Sequence, residues 1–237
     1  MQTIDDQERF ERARDEARRC GLGLEPTAEG LALEADGMRL VPDFRDMLPR
    51  LARGRLGREL LVRAAKVKGV ENPLVVDATA GLGQDALLLA AAGFRVKLFE
   101  RNEVIAALLA DALRRASADA GLADVVARME LSGSDSVEGL RTLAEHADVV
   151  YLDPMFPERR KSAAVKKKFQ LLHHLERPCD DAEELLHAAM EARPRKVVVK
   201  RPAKGPFLAG VEPSYSIKGK AVRYDVIALA SLGRQLP

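Results

Sequence analysis

Asp153-Pro154-Met155-Phe156 follows the apolar run "VVYL", so a carboxylate and an aromatic ring are expected at the carboxyl end of a strand. In an open α/β sheet that end faces the crevice where ligands bind. A carboxylate and a neighbouring backbone carbonyl can accept the two N–H bonds of an exocyclic base amine. The amine's delocalised lone pair is then turned toward an electrophile. Pro154 fixes φ and brings no N–H to compete, and Phe156 can stack on the base face. No strong base is needed, because the nitrogen becomes acidic once it is methylated. Taken alone, Asp-Pro is an ordinary turn start and Phe156 an ordinary core residue.

A second stretch with chemical content is "DATAGLGQDA", residues 77–86. Gly81, Gly83 and Ala86 satisfy G-x-G-x-x-G/A, and Glu100 lies nineteen residues after Gly81 at the next strand end. The tight turn lets backbone approach a ligand, and the second carboxylate suits ribose hydroxyls. Asp77 ends the strand and Asp85 opens the helix, where a pyrophosphate would otherwise dock. Two carboxylates there repel a diphosphate and suit a cation. S-adenosylmethionine (SAM) carries an ammonium and a sulfonium and no phosphate, so the pair favours it over NAD. Asp85 alone is equally well read as an acid favoured by the helix macrodipole. After the third strand, in "SGSDS", Asp135 or Ser136 could bond an adenine edge, or simply cap a loop.

Basic residues crowd the chain after Phe156: Arg159, Arg160, Lys161, Lys166, Lys167 and Lys168, with Lys200, Arg201 and Lys204 after a later strand. A charge run is usually a solvated face. Next to a base-holding loop, in a chain of near-zero net charge, it suits docking of a nucleic-acid backbone. His173 and His174 read as surface or packing residues, and Met129 and Met155 as core fillers.

The elements that must position these residues follow from the hydrophobic pattern. Residues 5–20 read as a polar helix, and 31–44 alternate around Asp36-Gly37, a hairpin signal. The basic stretch 45–69 reads as helical toward its end, with Gly57 and Arg58 entering the helix. From Pro73 strands and helices alternate. "LVVDAT", "FRVKLFE", "VVARMELS" and "ADVVYLD" read as strands one to four, with helices over "GQDALLLAAAG" and "EVIAALLADALRRASAD". A helix near 180–192, the strand 196–200 and a closing pair near 214–217 and 222–229 complete the series. This order predicts an α/β fold with a doubly wound, mainly parallel sheet. Residues 1–70 form an N-terminal α+β extension and 71–237 the ligand-binding domain.

Composition sets outer bounds. Of 237 residues 47% are hydrophobic and 31% charged, enough for a sizeable core and a soluble surface. Thirty-eight basic residues against 36 acidic ones leave a net charge of +2, which points to no partner by itself. Cys20 and Cys179 form no CxxC or Cys/His cluster, which argues against a disulfide framework and a metal site. The charged start lacks a signal peptide's apolar segment, and no run of about 18 apolar residues suggests a membrane span. A cytoplasmic protein is expected.

The segments "VVDATAGLGQDALLLAAAGFRVKLFERN", "VVYLDPMFP", "KSAAVKKK" and "VVVKRP" together resemble the bacterial ribosomal RNA small subunit methyltransferase J family, over roughly residues 55–230. The resemblance implies a class I methyltransferase (Rossmann-like) fold with a seven-stranded sheet, SAM as cofactor, and methylation of a guanine exocyclic amine, N2, in 16S rRNA of the small ribosomal subunit. Carried over by motif, cofactor contacts fall on Gln84, Asp85, Glu100, Arg101, Asp135, Ser136 and Asp153. The family tends to have arginine in place of Gln84, serine in place of Asp135 and proline in place of Glu103, and "GRLGRE" (54–59) is less glycine-rich than its counterpart. Two other readings use the same residues: adenine-N6 methylation of RNA or DNA, and a non-catalytic RNA-binding assembly factor on the same fold. An NAD-dependent oxidoreductase is disfavoured by the aspartates at the turn and by the lack of an acid for hydride transfer.

Overall fold

The structure is a computed structural model, and it describes residues 4–52, 54–133, 135–154, 171, 172, 175 and 181–229. The N-terminal segment forms α1 (Ile4–Arg19) and the strands β1 (Gly23–Thr27), β2 (Gly30–Ala35) and β3 (Met38–Leu40). These strands make an antiparallel three-stranded sheet in the order β1-β2-β3. The β2–β3 turn is Asp36-Gly37, with φ 51° and 70°, the positive values that a two-residue hairpin of type I′ needs. A 3-10 turn (Phe44–Met47), α2 (Leu48–Leu51), a second 3-10 turn (Leu56–Arg58) and α3 (Leu60–Ala65) follow. Gly57 and Arg58 thus stand before the helix in a separate turn. Glu59 breaks the run at ψ 126°, and its carboxylate accepts bonds from Arg50 Nε and Nη2 at 3.0 and 2.8 Å.

The remaining elements are β4 (Leu74–Asp77), α4 (Gln84–Ala91), β5 (Arg95–Phe99), α5 (Glu103–Ala116), α6 (Ala123–Val126), β6 (Met129–Gly133), α7 (Ser136–Arg141), β7 (Val149–Leu152), α8 (Ala182–Glu191), β8 (Lys196–Pro202), a 3-10 turn (Leu208–Gly210), β9 (Tyr215–Lys218) and β10 (Val222–Ala228). They build a seven-stranded sheet in the order β6-β5-β4-β7-β8-β10-β9. The ladders from β6 to β8 are parallel, and β10 runs antiparallel to both β8 and β9. The order reverses between β4 and β7, so the crevice of this doubly wound sheet opens above their carboxyl ends. Among the described residues no helix is long and apolar enough to cross a membrane.

Local chemistry explains most boundaries. All four residues of β4 and of β7 are buried, as expected for central strands covered on both faces. On α5, Val104, Ile105, Leu108, Leu109 and Ala112 fall on one buried face, and the Asn102 side chain caps the helix by accepting from Val104 and Ile105 N–H at 3.0 Å each. The stretch read as strand three departs from its β-rich composition. Ala123–Val126 turns as a helix, with Val126 N–H donating to Leu122 O at 2.9 Å, and the strand starts at Met129. Leu122 and Val126 are both buried in the main core, so packing overrides the strand preference of adjacent valines.

Residues N-terminal to β4 pack in two places. Leu24, Leu31 and Leu33 of the small sheet and Ala13 and Ala17 of α1 bury against Val104, Ile105 and Leu108 of α5. Phe44, Met47, Leu61 and Ala64 instead join the main core beneath α4. A polar clasp fixes the first contact. Asp111 of α5 accepts from Leu31 N–H at 2.9 Å and from Arg115 Nε at 2.7 Å, while Arg115 also donates to the Pro42 carbonyl. Gly30 sits under that guanidinium, and a Cβ there would collide with Arg115 Nε and Cζ.

Gly83, the residue before α4, has φ 75°, and a Cβ there would lie 2.7 Å from Leu109 Cδ1 and 3.1 Å from Phe44 Cζ. Gly83→Ala combines an unfavourable backbone with overpacking and is expected to cost about 2–4 kcal/mol. A urea denaturation midpoint unchanged from the parent chain would contradict this.

Candidate active site

A cleft of about 930 Å³ lies above the carboxyl ends of β4, β5 and β7, large enough for a nucleoside-sized ligand. Its polar floor follows from strand register. Asp77 pairs with Tyr151 across β4 and β7, Leu152 pairs with Val199 across β7 and β8, and Lys200 pairs with Tyr224 across β8 and β10. Continuing the parallel register by one step sets Asp153 beside Lys200. Alternation along each strand then puts Tyr151 and Asp153 on one face, beneath the first turn of α4 that carries Asp85.

These side chains close into one network. Tyr151 Oη donates to Asp85 Oδ2 at 2.7 Å. Lys200 Nζ donates to the same Asp85 oxygen and to Asp153 Oδ2, each at 2.8 Å. The Asp153 backbone N–H donates to Thr79 Oγ1 at 2.7 Å, so the turn that follows β4 also holds the Asp153 backbone. Burial pulls the Lys200 ammonium downward, but Asp85 and Asp153 outweigh it and hold the group above its ordinary pKa. Burial also raises the phenols of Tyr151 and Tyr224, with Asp85 adding to both. Asp77 is 1% exposed and accepts from Thr79 N–H at 3.1 Å. Burial lifts its carboxyl well above the usual range, with Asp85, Asp153 and Glu100 contributing.

The glycine turn and the end of β5 are tied through Glu100. Its Oε2 accepts from Gly81 N–H at 2.9 Å and its Oε1 from Asn102 N–H at 2.8 Å. Burial raises the Glu100 carboxyl, opposed by those two backbone donors. Gly81 has φ 54°, and a Cβ there would meet nothing within 4 Å, so backbone is open to the cleft at this point.

The structure sorts the sequence-predicted residues. Asp77, Gly81, Gln84, Asp85, Glu100, Arg101, Ser136, Asp153, Pro154 and Lys200 line one cleft. Gly83 does not line it; its place is the close contact with Leu109 and Phe44. Asp135 does not line it either. Its side chain caps α7 by accepting from Glu138 N–H at 2.9 Å, the role of an ordinary helix cap. Arg101 stands at the rim in an ion pair with Asp181. Of the nine basic residues expected on a nucleic-acid face, Lys200 turns inward to two carboxylates. Arg201 is 2% exposed, with Nε donating to the Pro206 carbonyl at 2.8 Å, so it is not at the surface. Lys204 is exposed. Phe156, Arg159, Arg160, Lys161, Lys166, Lys167 and Lys168 lie outside the described residues, as do Met155, His173, His174 and Cys179.

Several contributors carry no clear signal in the sequence. Thr79 and Tyr151 sit inside the two motifs, and the alternation of "VVYLD" is the one cue that puts Tyr151 on the Asp153 face. Val41, Pro42, Asp43 and Phe44 form a wall of the cleft, and nothing local in "VPDF" signals that. The residues present fit SAM: the Glu100 carboxylate can accept ribose hydroxyls, backbone is open at Gly81, and the carboxyls of Asp77, Asp85 and Asp153 line the cleft against the Lys200 ammonium. A diphosphate would meet repulsion where this cationic ligand meets attraction.

Comparison with known proteins agrees with this geometry. The family model of SAM-dependent methyltransferases matches residues 9–229. The ribosomal RNA small subunit methyltransferase J of Marinobacter nauticus is 44% identical over 92% of this chain and 81% of its own length. That of Thioalkalivibrio sulfidiphilus is 50% identical over 75% of this chain and 70% of its own. The crystal structure of a SAM-dependent methyltransferase from Neisseria gonorrhoeae superposes with a TM-score of 0.71, at 31% identity and 96% coverage of both chains. With its reversed strand order, its glycine turn and its acidic cleft, the chain belongs to the ribosomal RNA small subunit methyltransferase J family of class I, SAM-dependent methyltransferases.

Proposed function

We propose that this chain methylates the exocyclic N2 amine of a guanine in 16S rRNA, on the free RNA or on the small ribosomal subunit, in the cytoplasm. The observation that carries the reading is Asp153: a carboxylate at the end of β7, inside the cleft, held by Thr79 from its backbone and by Lys200 from its side chain. When bound, SAM supplies an electrophilic methyl group on a sulfonium. The chain's own residues orient the acceptor. Asp153 Oδ atoms and the Pro154 carbonyl accept the two amine N–H bonds, which turns the nitrogen lone pair toward the methyl. A carboxylate keeps about four lone-pair sites, so Asp153 can serve Lys200 and an amine together. The Asp153 side chain is 37% exposed, so the proton released after transfer has a route to water.

Asp77, Glu100 and the open backbone at Gly81 would hold the cofactor, with Gln84, Arg101 and Ser136 at its edges. Lys204, exposed just past β8, and the basic run 159–168 would grip the phosphate backbone. Incubating the purified chain with SAM and unmodified small-subunit rRNA, then digesting to nucleosides, should yield N2-methylguanosine by mass spectrometry. N6-methyladenosine instead would replace the base assignment, and RNA binding without any methylated nucleoside would replace the enzyme.

A further inference from the structure

Among the described basic residues expected on the nucleic-acid face, Lys200 is the one that the fold turns into the active-site network. Its Nζ lies 2.8 Å from carboxylates of two elements, Asp85 on α4 and Asp153 after β7, and its side chain is 25% exposed. Those carboxylates are 68 residues apart in the chain (153 − 85), and one ammonium joins them. Without a cation, Asp85, Asp153 and the buried Asp77 would crowd one cleft floor. Carboxylates that crowd favour protonation, and a protonated Asp153 loses acceptor capacity for an amine. One ammonium against the Asp85 and Asp153 pair leaves that pair at a net charge of −1, still attractive to a cationic ligand.

We infer that Lys200 is a positioning residue for methyl transfer: it clamps Asp85 and Asp153 on one ammonium, keeping Asp153 ionised and aimed at the target amine. It is not a ligand of the RNA backbone. The inference rests on the reading of Asp153 as the amine acceptor. The groups around the ammonium are Asp85 from α4, Asp153 just past β7 and Tyr224 from β10, with Tyr151 of β7 bonded to the shared Asp85 oxygen and Asp77 of β4 near both carboxylates. Arg50 contributes positive charge near Asp85 and Tyr224, and it is itself paired with Glu59.

The test compares Lys200→Met and Lys200→Arg with the parent chain. Lys200→Met should lower kcat by about 30-fold or more, as expected for losing a charge-assisted contact. SAM affinity, read by calorimetry, should stay within about threefold, because losing one positive charge makes the site more attractive to a cation while the protonation that crowded carboxylates favour makes it less so. The acid limb of the kcat/KM profile should move up by about 1 pH unit or more. The sign follows from Asp153: without its cation the carboxyl pKa rises, and the ionised form is lost at a higher pH. Lys200→Arg should restore the position of that limb even if turnover stays slower. The salt dependence of RNA binding should be the same in all three proteins.

Parent-like kcat and pH profile in Lys200→Met, with weaker RNA binding and a salt slope shallower by about 1, would make Lys200 a phosphate ligand and overturn the inference. A loss of kcat with no movement of the acid limb and no recovery in Lys200→Arg would reduce the lysine to a structural role. If Lys200→Met fails to bind SAM because it misfolds, Lys200→Gln and Lys200→Arg carry the same comparison. Product identity separates this test from the proposed function: a methylated adenine would overturn the base assignment while leaving the pH comparison to decide Lys200.

Discussion

Asp153→Ala should cut kcat by about 10³-fold, the size seen when a preorganised group facing the reacting centre is removed. SAM dissociation should change by less than about tenfold, because the truncated carboxylate orients the amine rather than the cofactor. One feature of the structure and one of the proposed substrate make this effect large. Asp153 is held rigidly, by Thr79 Oγ1 at its backbone N–H and by Lys200 at its carboxylate. The amine proposed as its partner is a poor nucleophile until its lone pair is turned out of conjugation. Asp153→Asn should fall between, since the amide keeps one acceptor oxygen and points an NH₂ at either the substrate or Lys200. Single-turnover methylation of rRNA with labelled SAM measures the step, and turnover within a few-fold of the parent would sink the role given to this residue.

The second large effect is on cofactor affinity. Glu100→Ala should weaken SAM binding by about 100-fold, or about 3 kcal/mol. The carboxylate joins two segments by accepting from Gly81 N–H and Asn102 N–H, and in the proposed reading it accepts ribose hydroxyls as well. Truncation therefore removes a ligand contact and loosens the turn that presents backbone to the cleft. Glu100→Gln should lose less, because one oxygen remains while its NH₂ faces one of the two backbone donors. Burial holds the Glu100 carboxyl above the ordinary range. As pH is lowered through that raised value the group protonates, so SAM affinity should fall at a higher pH than an unperturbed glutamate would give. Calorimetric titration between about pH 4.5 and 8 checks both statements; affinity of the alanine variant within threefold of the parent would exclude this account.

Much of this site is legible in the order of residues alone. The strands before Asp77 and Asp153 are short apolar runs and the one before Glu100 alternates before closing on Leu98 and Phe99, so in each case the acid emerges at the sheet's carboxyl edge. Gly81 is readable because a turn that exposes backbone needs a residue free to adopt φ 54°. Gly83 satisfies the same motif for a different reason, a close contact with Leu109 and Phe44 that only the packed helix pair creates. Asp135 illustrates a second limit. A polar residue after a strand reads alike whether it faces a ligand or caps the next helix, and here it caps α7.

The basic residues mark the boundary most clearly. Lys200, Arg201 and Lys204 look equivalent in "KRPAK". Strand alternation separates the first two, since Lys200 turns to Asp85 and Asp153 while Arg201 is buried with the Pro206 carbonyl, and Lys204 lies past the end of β8 and reaches solvent. Likewise "VPDF" is an ordinary loop until the Asp111–Arg115 clasp holds Pro42 beside α5 and makes it a cleft wall.

The amino-acid sequence by itself determined the class of fold, the glycine turn, the acidic strand ends and the family, because hydrophobic period and motif spacing are local properties that the backbone obeys. Only the tertiary structure decided which charges meet. Lys200 and Asp85 are 115 residues apart, and Lys200 and Asp153 are 47 apart. Their contact is set by the register of β7 on β8 and by the seat of α4 over the sheet. Long-range pairing of that kind depends on packing summed over the whole core, and no short stretch of chain carries it.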